Sequence, residues 1–226
     1  MSPVRFRRSA SIRTISPGRS APTTPRGAGT NRACPCPRRS HGSRSPSTPK
    51  YTFTPLREED FPLIRRWLLE PHVRRWWDEG TRLPYPEAEI EHYRAALQGE
   101  PTYRYVAHID ARPVGMFQHY RIGDSPEYAA ALGLDEEAVG VDLFIGEAEL
   151  VGRGHGPAML RAFLRDVAFP FHRIDVCVIG PSVKNMAAIR AYEKAGFRPL
   201  RVAQVPDEPD PEYLMRLTRS ELDSLQ

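Results

Sequence analysis

The 226-residue chain has no run of about 18 apolar residues, so no membrane-crossing helix is expected. Cysteine is scarce. Cys34, Cys36 and Cys177 are too few for a disulfide framework, and no His/Cys set has structural-zinc spacing, so no metal is expected. Acid is missing altogether from residues 1–50, where ten arginines and Lys50 stand without one Asp or Glu. The net charge of +4 and the pI of 9.1 therefore originate in that stretch. Residues 51–226 keep 21 basic and 28 acidic side chains, a net of −7. A nucleic-acid partner is not expected for this acidic part; a polyanion would have to meet the first 50 residues.

Those first 50 residues also hold eight Pro, nine Ser and four Gly. Such a segment has almost nothing to bury and cannot offset its ordering entropy, so a disordered, dispensable tail is expected over 1–50. No apolar stretch follows its early arginines, which excludes a secretory signal. An organelle transit peptide, an anion-binding arm and a non-functional extension from an over-long gene start all remain open. The expected location is the cytoplasm.

From Tyr51 the pattern changes. Tyr51–Leu56 alternates as a strand does, and Glu58, Glu59 and Asp60 then place acids in the first turn of a helix. Phe61, Ile64, Trp67 and Leu68 mark one face of that helix, which Pro71 is expected to stop. A loop carrying Trp76, Trp77 and Asp78 leads to a second helix, Pro86–Leu97. Tyr103–Ile109 and Val114–Tyr120 flank the turn-rich Asp110–Pro113 and predict a hairpin. Residues 121–138 read as a loop and Val139–Ile145 as a buried strand. A glycine-rich segment then opens a helix from Pro157 to about Val167. Ile174–Val178 is a strand, Asn185–Ala195 a helix with Gly196 as its stop, and Phe197–Val205 with Tyr213–Arg219 a closing hairpin. The class is mixed α/β, in one domain over 51–226.

Two segments carry chemistry. The strand ending at Ile145 leads to Gly152, Gly154 and Gly156, with a helix opening there. Glycines let a backbone approach a ligand closely, and the N–H groups and dipole of a helix N-terminus favour phosphate. No Gly-Lys-Ser/Thr follows, so this is not a P-loop, and G-x-G-x-G in this context is not a dinucleotide fingerprint. A plain glycine-rich turn is the bland alternative. The second segment runs from Asn185 to Phe197, with Asn185 placed to cap its helix.

Together these segments resemble the GNAT superfamily of acetyl-CoA-dependent N-acetyltransferases. N-x-x-A-x-x-x-Y-E-K-x-G-F, beginning 29 residues after Gly156, carries the resemblance, and the element order agrees over roughly 51–219. It implies a mixed central sheet flanked by helices and acetyl-CoA as co-substrate. By the same resemblance the loop Val151, Gly152, Arg153, Gly154, His155 and Gly156 would bind the pyrophosphate through backbone N–H groups. Val151 stands where relatives carry Gln or Arg. Leu143, Phe144 and Ile145 would hold the pantetheine arm by main-chain bonds, helped by Asn185, and Tyr192 would protonate the leaving thiolate. The alternative for Tyr192 is a core tyrosine.

Within that superfamily, W-L-x-x-x-H-x-x-x-W-W (Trp67 to Trp77), Pro113-Val-Gly115, Gln118-x-Tyr120 and Gly140-Val-Asp142 resemble the aminoglycoside 6'-N-acetyltransferases. This implies a small cationic amine acceptor, with Asp142 as its ligand and general base. Trp76, Trp77, Asp78, Gln118 and Tyr120 would line the acceptor pocket. The family's aspartate before the proline preceding the Asn helix is replaced here by Gly180, so one acceptor carboxylate is missing. Asp78, Glu79, Asp124 and Glu127 are the sequence's candidates to compensate. Siderophore-type lysine or hydroxylysine acyltransferases look similar over the same stretch but carry His where Asp142 stands. A non-enzymatic polyanion binder acting through the basic tail is a third reading.

Overall fold

The computed structural model describes residues 48–77, 85–205 and 208–225. Of the expected tail, all but residues 48–50 lie outside them, as do Asp78 and Glu79. Seven strands form one sheet: β1 (Tyr51–Pro55), β2 (Thr102–Ile109), β3 (Arg112–Arg121), β4 (Val139–Ile145), β5 (Val176–Ile179), β6 (Arg198–Ala203) and β7 (Glu212–Thr218). Their spatial order is β1-β2-β3-β4-β5-β7-β6. Every neighbouring pair is antiparallel except β4 and β5. That parallel pairing joins only Val139 to Cys177 and Gly140 to Val178. β4 runs on to Ile145, so the two strands part beyond Gly140 and leave a gap in mid-sheet.

Alternation along the strands sends consecutive side chains to opposite faces. One face carries Phe117, Val139, Val141, Leu143, Cys177 and Met215 into a core built with α5 (His155–Phe163) and α7 (Met186–Ala195). The other face is covered in two patches. Val106, Met116 and Phe144 meet α1 (Phe61–Leu68), α2 (Pro71–Trp77) and α3 (Glu87–Ala96). Tyr120, Val178 and Leu214 meet α4 (Pro126–Leu132). The expected mixed sheet flanked by helices is the fold.

Several local expectations are corrected. The loop expected to carry Trp76 and Trp77 is α2. Pro71 follows the end of α1 as expected, yet it also opens α2, because a helix's first residue needs no N–H bond. The supposed loop 121–138 contains α4, opened by Pro126 and closed by Gly133 at φ 58°. The turn of the first hairpin is two residues, Asp110 and Ala111 at φ 49° and 68°, which matches the twist of its strands. The helix expected from Pro157 starts at His155 and continues through a π-type turn, Leu164–Ala168, into α6 (Phe169–His172). Arg219 opens a last helix, α8 (Arg219–Asp223), where Thr218 caps it, instead of ending β7.

Candidate active site

The gap is built from both of its sides. On the α5 side, Gly152 and Gly154 hold φ of 78° and 85°, left-handed values that a β-carbon disfavours. Gly154 caps α5, so the helix N-terminus opens on the loop. The N–H of Val151 is taken by the carbonyl of Ala148 and that of Arg153 by Leu150, at 3.2 and 3.4 Å. Gly152, Arg153 and Gly154 are exposed, His155 is half-buried and Gly156 buried. His155 Nδ1 lies 3.2 Å from the Tyr51 hydroxyl, tying the loop to β1.

The segment between β4 and the loop is fixed by Glu147. Its carboxylate accepts the Trp67 indole N–H at 2.8 Å and guanidinium N–H groups of Arg66 and Arg112 at 2.5 and 2.7 Å. Burial opposes its charge, but these donors prevail and hold the carboxyl below the ordinary glutamate range. Gly146 beside it has no room for a side chain: a β-carbon would stand 2.1 Å from the Trp67 ring. His72 Nε2 donates to the Ile145 carbonyl at 2.8 Å, which fixes its tautomer. Leu143, Phe144 and Ile145 thus lie on the part of β4 that β5 does not pair.

Asn185 caps α7, its Oδ1 accepting the Ala188 N–H at 3.1 Å. Its Nδ2 is buried with no hydrogen-bond partner among the described residues. An orphaned amide donor costs of the order of 1–3 kcal/mol when buried, so it fits a carbonyl-bearing ligand such as a pantetheine arm. Tyr192 lies in α7, buried, with its ring 6.1 Å from that of Phe197.

On the opposite face stands Asp142, 8% exposed. Gln118, its direct neighbour on β3, donates its amide N–H to Asp142 Oδ2 at 2.8 Å. The Gln118 Oε1 is buried without a partner among the described residues. Arg104 continues the row on β2, its guanidinium 4.8 Å above the Tyr93 ring and 3.2 Å from His92. Burial lowers its pKa, while Tyr93, Glu100, Glu89 and Asp142 favour its charge. Asp142 and Tyr192 therefore sit on opposite sides of the sheet.

Trp77 is enclosed: its indole N–H donates to the Tyr93 hydroxyl at 2.6 Å and its ring meets Phe144 edge-on at 4.8 Å. Trp76 is half-buried beneath the Arg75 guanidinium. Tyr120 packs over Gly140 on the face of Asp142. Asp124 and Glu127, offered by the sequence as compensating acids, are exposed at the start of the α4 region. Sequence reasoning missed Glu212, a buried carboxylate on β7 that accepts the Tyr128 hydroxyl at 3.2 Å. The only signal for it is alternation, since Glu212 and Leu214 share a face.

Among the described residues no helix is long and apolar enough to cross a membrane. Residues 57–205 match the family described as an acetyltransferase (GNAT) domain. The chain is 27% identical over 164 residues to aminoglycoside N(6')-acetyltransferase type 1 of Klebsiella pneumoniae, covering 72% of this chain and 81% of that protein. It is 25% identical over 143 residues to a lysine N-acyltransferase of a Mycobacterium species (strain MCS), covering 62% and 55% respectively. The structure of AAC(6')-Ib in complex with ribostamycin and coenzyme A superimposes with a TM-score of 0.63 at 28% identity, over 76% of this chain and 96% of that one. A split sheet, a glycine loop at a helix N-terminus and a buried amide awaiting a partner all agree with that match. The chain belongs to the GNAT acetyltransferase family, as an acetyl-CoA-dependent N-acetyltransferase related to the aminoglycoside 6'-acetyltransferases.

Proposed function

We propose that this enzyme transfers the acetyl group of acetyl-CoA to the 6'-amine of an aminoglycoside, by direct attack while both substrates are bound. The observation that carries this reading is Asp142, a buried carboxylate beside the opening between β4 and β5, oriented by Gln118. An amine arrives as an ammonium and must lose a proton before it attacks. Asp142 would hold the cation and take that proton, directly or through water. For this carboxylate, position and charge matter more than basicity. Tyr120 and Trp76 would wall the acceptor side; Trp77, expected there from the sequence, is instead enclosed in the core with Phe144 and Tyr93.

Acetyl-CoA supplies an activated thioester. The loop from Val151 to Gly156 would receive its pyrophosphate, Arg153 adding an exposed positive charge, and the main chain of Leu143, Phe144 and Ile145 with Asn185 Nδ2 would hold the arm. Tyr192 would give its phenolic proton to the departing thiolate. A positioned phenolic hydroxyl is a suitable proton donor to a departing thiolate. Such chemistry belongs in the cytoplasm, with the acetyl-CoA supply. The −7 balance of residues 51–226 also suits a cationic acceptor.

Thiol release from acetyl-CoA, followed with aminoglycosides, polyamines, lysine derivatives and peptide N-termini, tests the reading. Kanamycin and ribostamycin are expected to be acetylated, with the product carrying the acetyl group at the 6'-nitrogen by NMR. Turnover confined to other amines would overturn it. Lysine or hydroxylysine acylation is the second reading, supported by the similarity to a lysine N-acyltransferase. Asp142 in place of the histidine expected in that group favours the first.

A further inference from the structure

Gly180 closes β5 on the face that carries Asp142, and the space above it is filled by another residue. A β-carbon built on Gly180 would lie 2.0 Å from Glu212 Oε2 and 2.8 Å from its Cδ. The Glu212 carboxylate thus occupies the volume that a side chain at position 180 would take. The strand register explains how it gets there. β5 and β7 run antiparallel with Val178 opposite Arg216, and a bridge places Ser182 opposite Glu212. Glu212 is therefore one step diagonal to Gly180 on the same face.

This position matters because of the gap. The last paired residues of β4 and β5 are Gly140 and Val178. Asp142 and Gly180 each stand two residues beyond, one on either lip. The structure accordingly puts one buried carboxylate on each lip, facing the same side: Asp142 directly and Glu212 over Gly180. Between Asp142 and β2 lies the Gln118 amide, 2% exposed, with its Oε1 unpartnered among the described residues. An unpartnered acceptor oxygen beside Asp142, with a second buried carboxylate on the other lip of the gap, calls for a donor-rich, positively charged ligand.

We infer that Glu212 is the second carboxylate of the acceptor site, taking one ammonium of a polycationic amine while Asp142 takes the amine that reacts. Gly180 is its structural complement: the absence of a side chain there admits the carboxylate from β7. The Tyr128 hydroxyl on α4, bonded to Glu212 Oε2, holds it in place. The acid absent from position 180 is thus supplied from a strand 32 residues further along the chain. This inference rests on the cationic-amine reading above, and Glu212 acts on affinity and specificity, not on the chemical step.

The test is calorimetric titration of kanamycin and of spermidine into the coenzyme A-saturated protein. Glu212→Gln keeps the shape and the Tyr128 contact while removing the charge. It is expected to weaken binding of at least one of these ligands by about tenfold or more, the scale of a lost charge-assisted hydrogen bond. Coenzyme A affinity should be unchanged, and with a ligand that turns over the loss should appear in KM, not in kcat. The double variant Gly180→Asp/Glu212→Val moves the carboxylate back to β5 and is expected to restore binding to within about threefold. Unchanged affinities in Glu212→Gln, a wild type that binds neither ligand, or a folded double variant no better than Glu212→Gln would each overturn the inference. Failure of the aminoglycoside reading looks different: kanamycin is not acetylated, yet spermidine binds in a Glu212-dependent way.

Discussion

The ring of Tyr120 lies so closely over Gly140 that a β-carbon on this glycine would sit 2.2 Å from its Cε2 and 2.3 Å from its Cζ. The two residues face each other across β3 and β4, and the ring is almost fully buried. Gly140→Ala must therefore displace the ring or the strand. We expect a loss of about 1–3 kcal/mol, the usual cost of overpacking, seen as a melting temperature lower by several degrees. Acceptor KM should rise with it, because Tyr120 shares its face with Asp142. Adding Tyr120→Leu should restore part of the stability. An unchanged melting temperature in Gly140→Ala would show that the ring moves aside at no cost.

At the glycine loop, sterics and charge can be separated. Gly154 has φ 85°, but nothing lies within 4 Å of a β-carbon built there. Asn tolerates left-handed backbone better than most residues, so Gly154→Asn isolates the strain. Gly154→Asp adds a negative charge at the helix N-terminus where a pyrophosphate would sit. Calorimetry with coenzyme A should show a loss below about threefold for Asn and at least about tenfold for Asp, the like-charge cost. Equal affinities for the two variants would remove the phosphate from this loop.

Cys177 lies on β5, fully buried against Val139 of β4. Burial first, and the Asp142 charge second, push its thiol well above the ordinary range. It stays protonated at neutral pH and is a poor nucleophile. Cys177→Ala should keep more than half of the activity, and mass spectrometry of enzyme incubated with acetyl-CoA alone should find no acetyl adduct. An acetylated protein would sink the direct-transfer mechanism.

His119 gives the fold a dependence on pH. It is enclosed by Tyr105, Phe163 and Phe171, with its Nδ1 2.7 Å from Nε2 of His172. Burial first, and the neighbouring His172 second, lower its pKa to about 3, and His172 is lowered too, mainly by burial. The unfolded chain binds a proton at about pH 6.5 that the folded chain refuses, so stability falls as pH drops from there toward about 3. At pH 5 this amounts to about 2 kcal/mol from His119. Urea unfolding at pH 7.5 and pH 5.0 should show the loss, and His119→Phe should flatten it. An identical slope in that variant would assign the dependence to other groups.

Where the sequence was legible, local signals and tertiary burial agreed. β4 spans the expected Val139–Ile145 because its apolar run is buried on both faces. α7 has the expected ends because Asn185 and Gly196 provide a cap and a left-handed stop. α2 was hidden because Pro71 signals a stop and a start equally well. α4 was hidden by its length: seven residues with Tyr128 and Leu132 as its large apolar pair give too short a period, although Ser125-Pro126-Glu127 and Gly133 mark its ends. Glu212 is the deeper case. Its neighbour Gly180 becomes a neighbour only because β7 inserts between β5 and β6, and no local period encodes that order.

Asp142→Asn is the variant that most directly probes catalysis. Asp142 is buried, sits beside the gap, and receives the Gln118 amide N–H at 2.8 Å on one oxygen. The asparagine can turn its own carbonyl toward Gln118 and keep that bond, so shape and packing persist while the charge goes. If Asp142 holds the acceptor ammonium and takes its proton, kcat/KM should fall about 10²- to 10⁴-fold, the range for a positioned acid–base group. Tyr192→Phe should cost less, since water can protonate a thiolate. Gln118→Met tests positioning: it leaves the carboxylate but frees its orientation, and should lower kcat/KM by a smaller factor while shifting the acidic limb of the pH profile. If Asp142 were only the strand's hydrogen-bond partner for Gln118, Asp142→Asn would lower the melting temperature and spare the rate. A folded Asp142→Asn enzyme with wild-type kinetics from pH 6 to 9 would take the base away from β4.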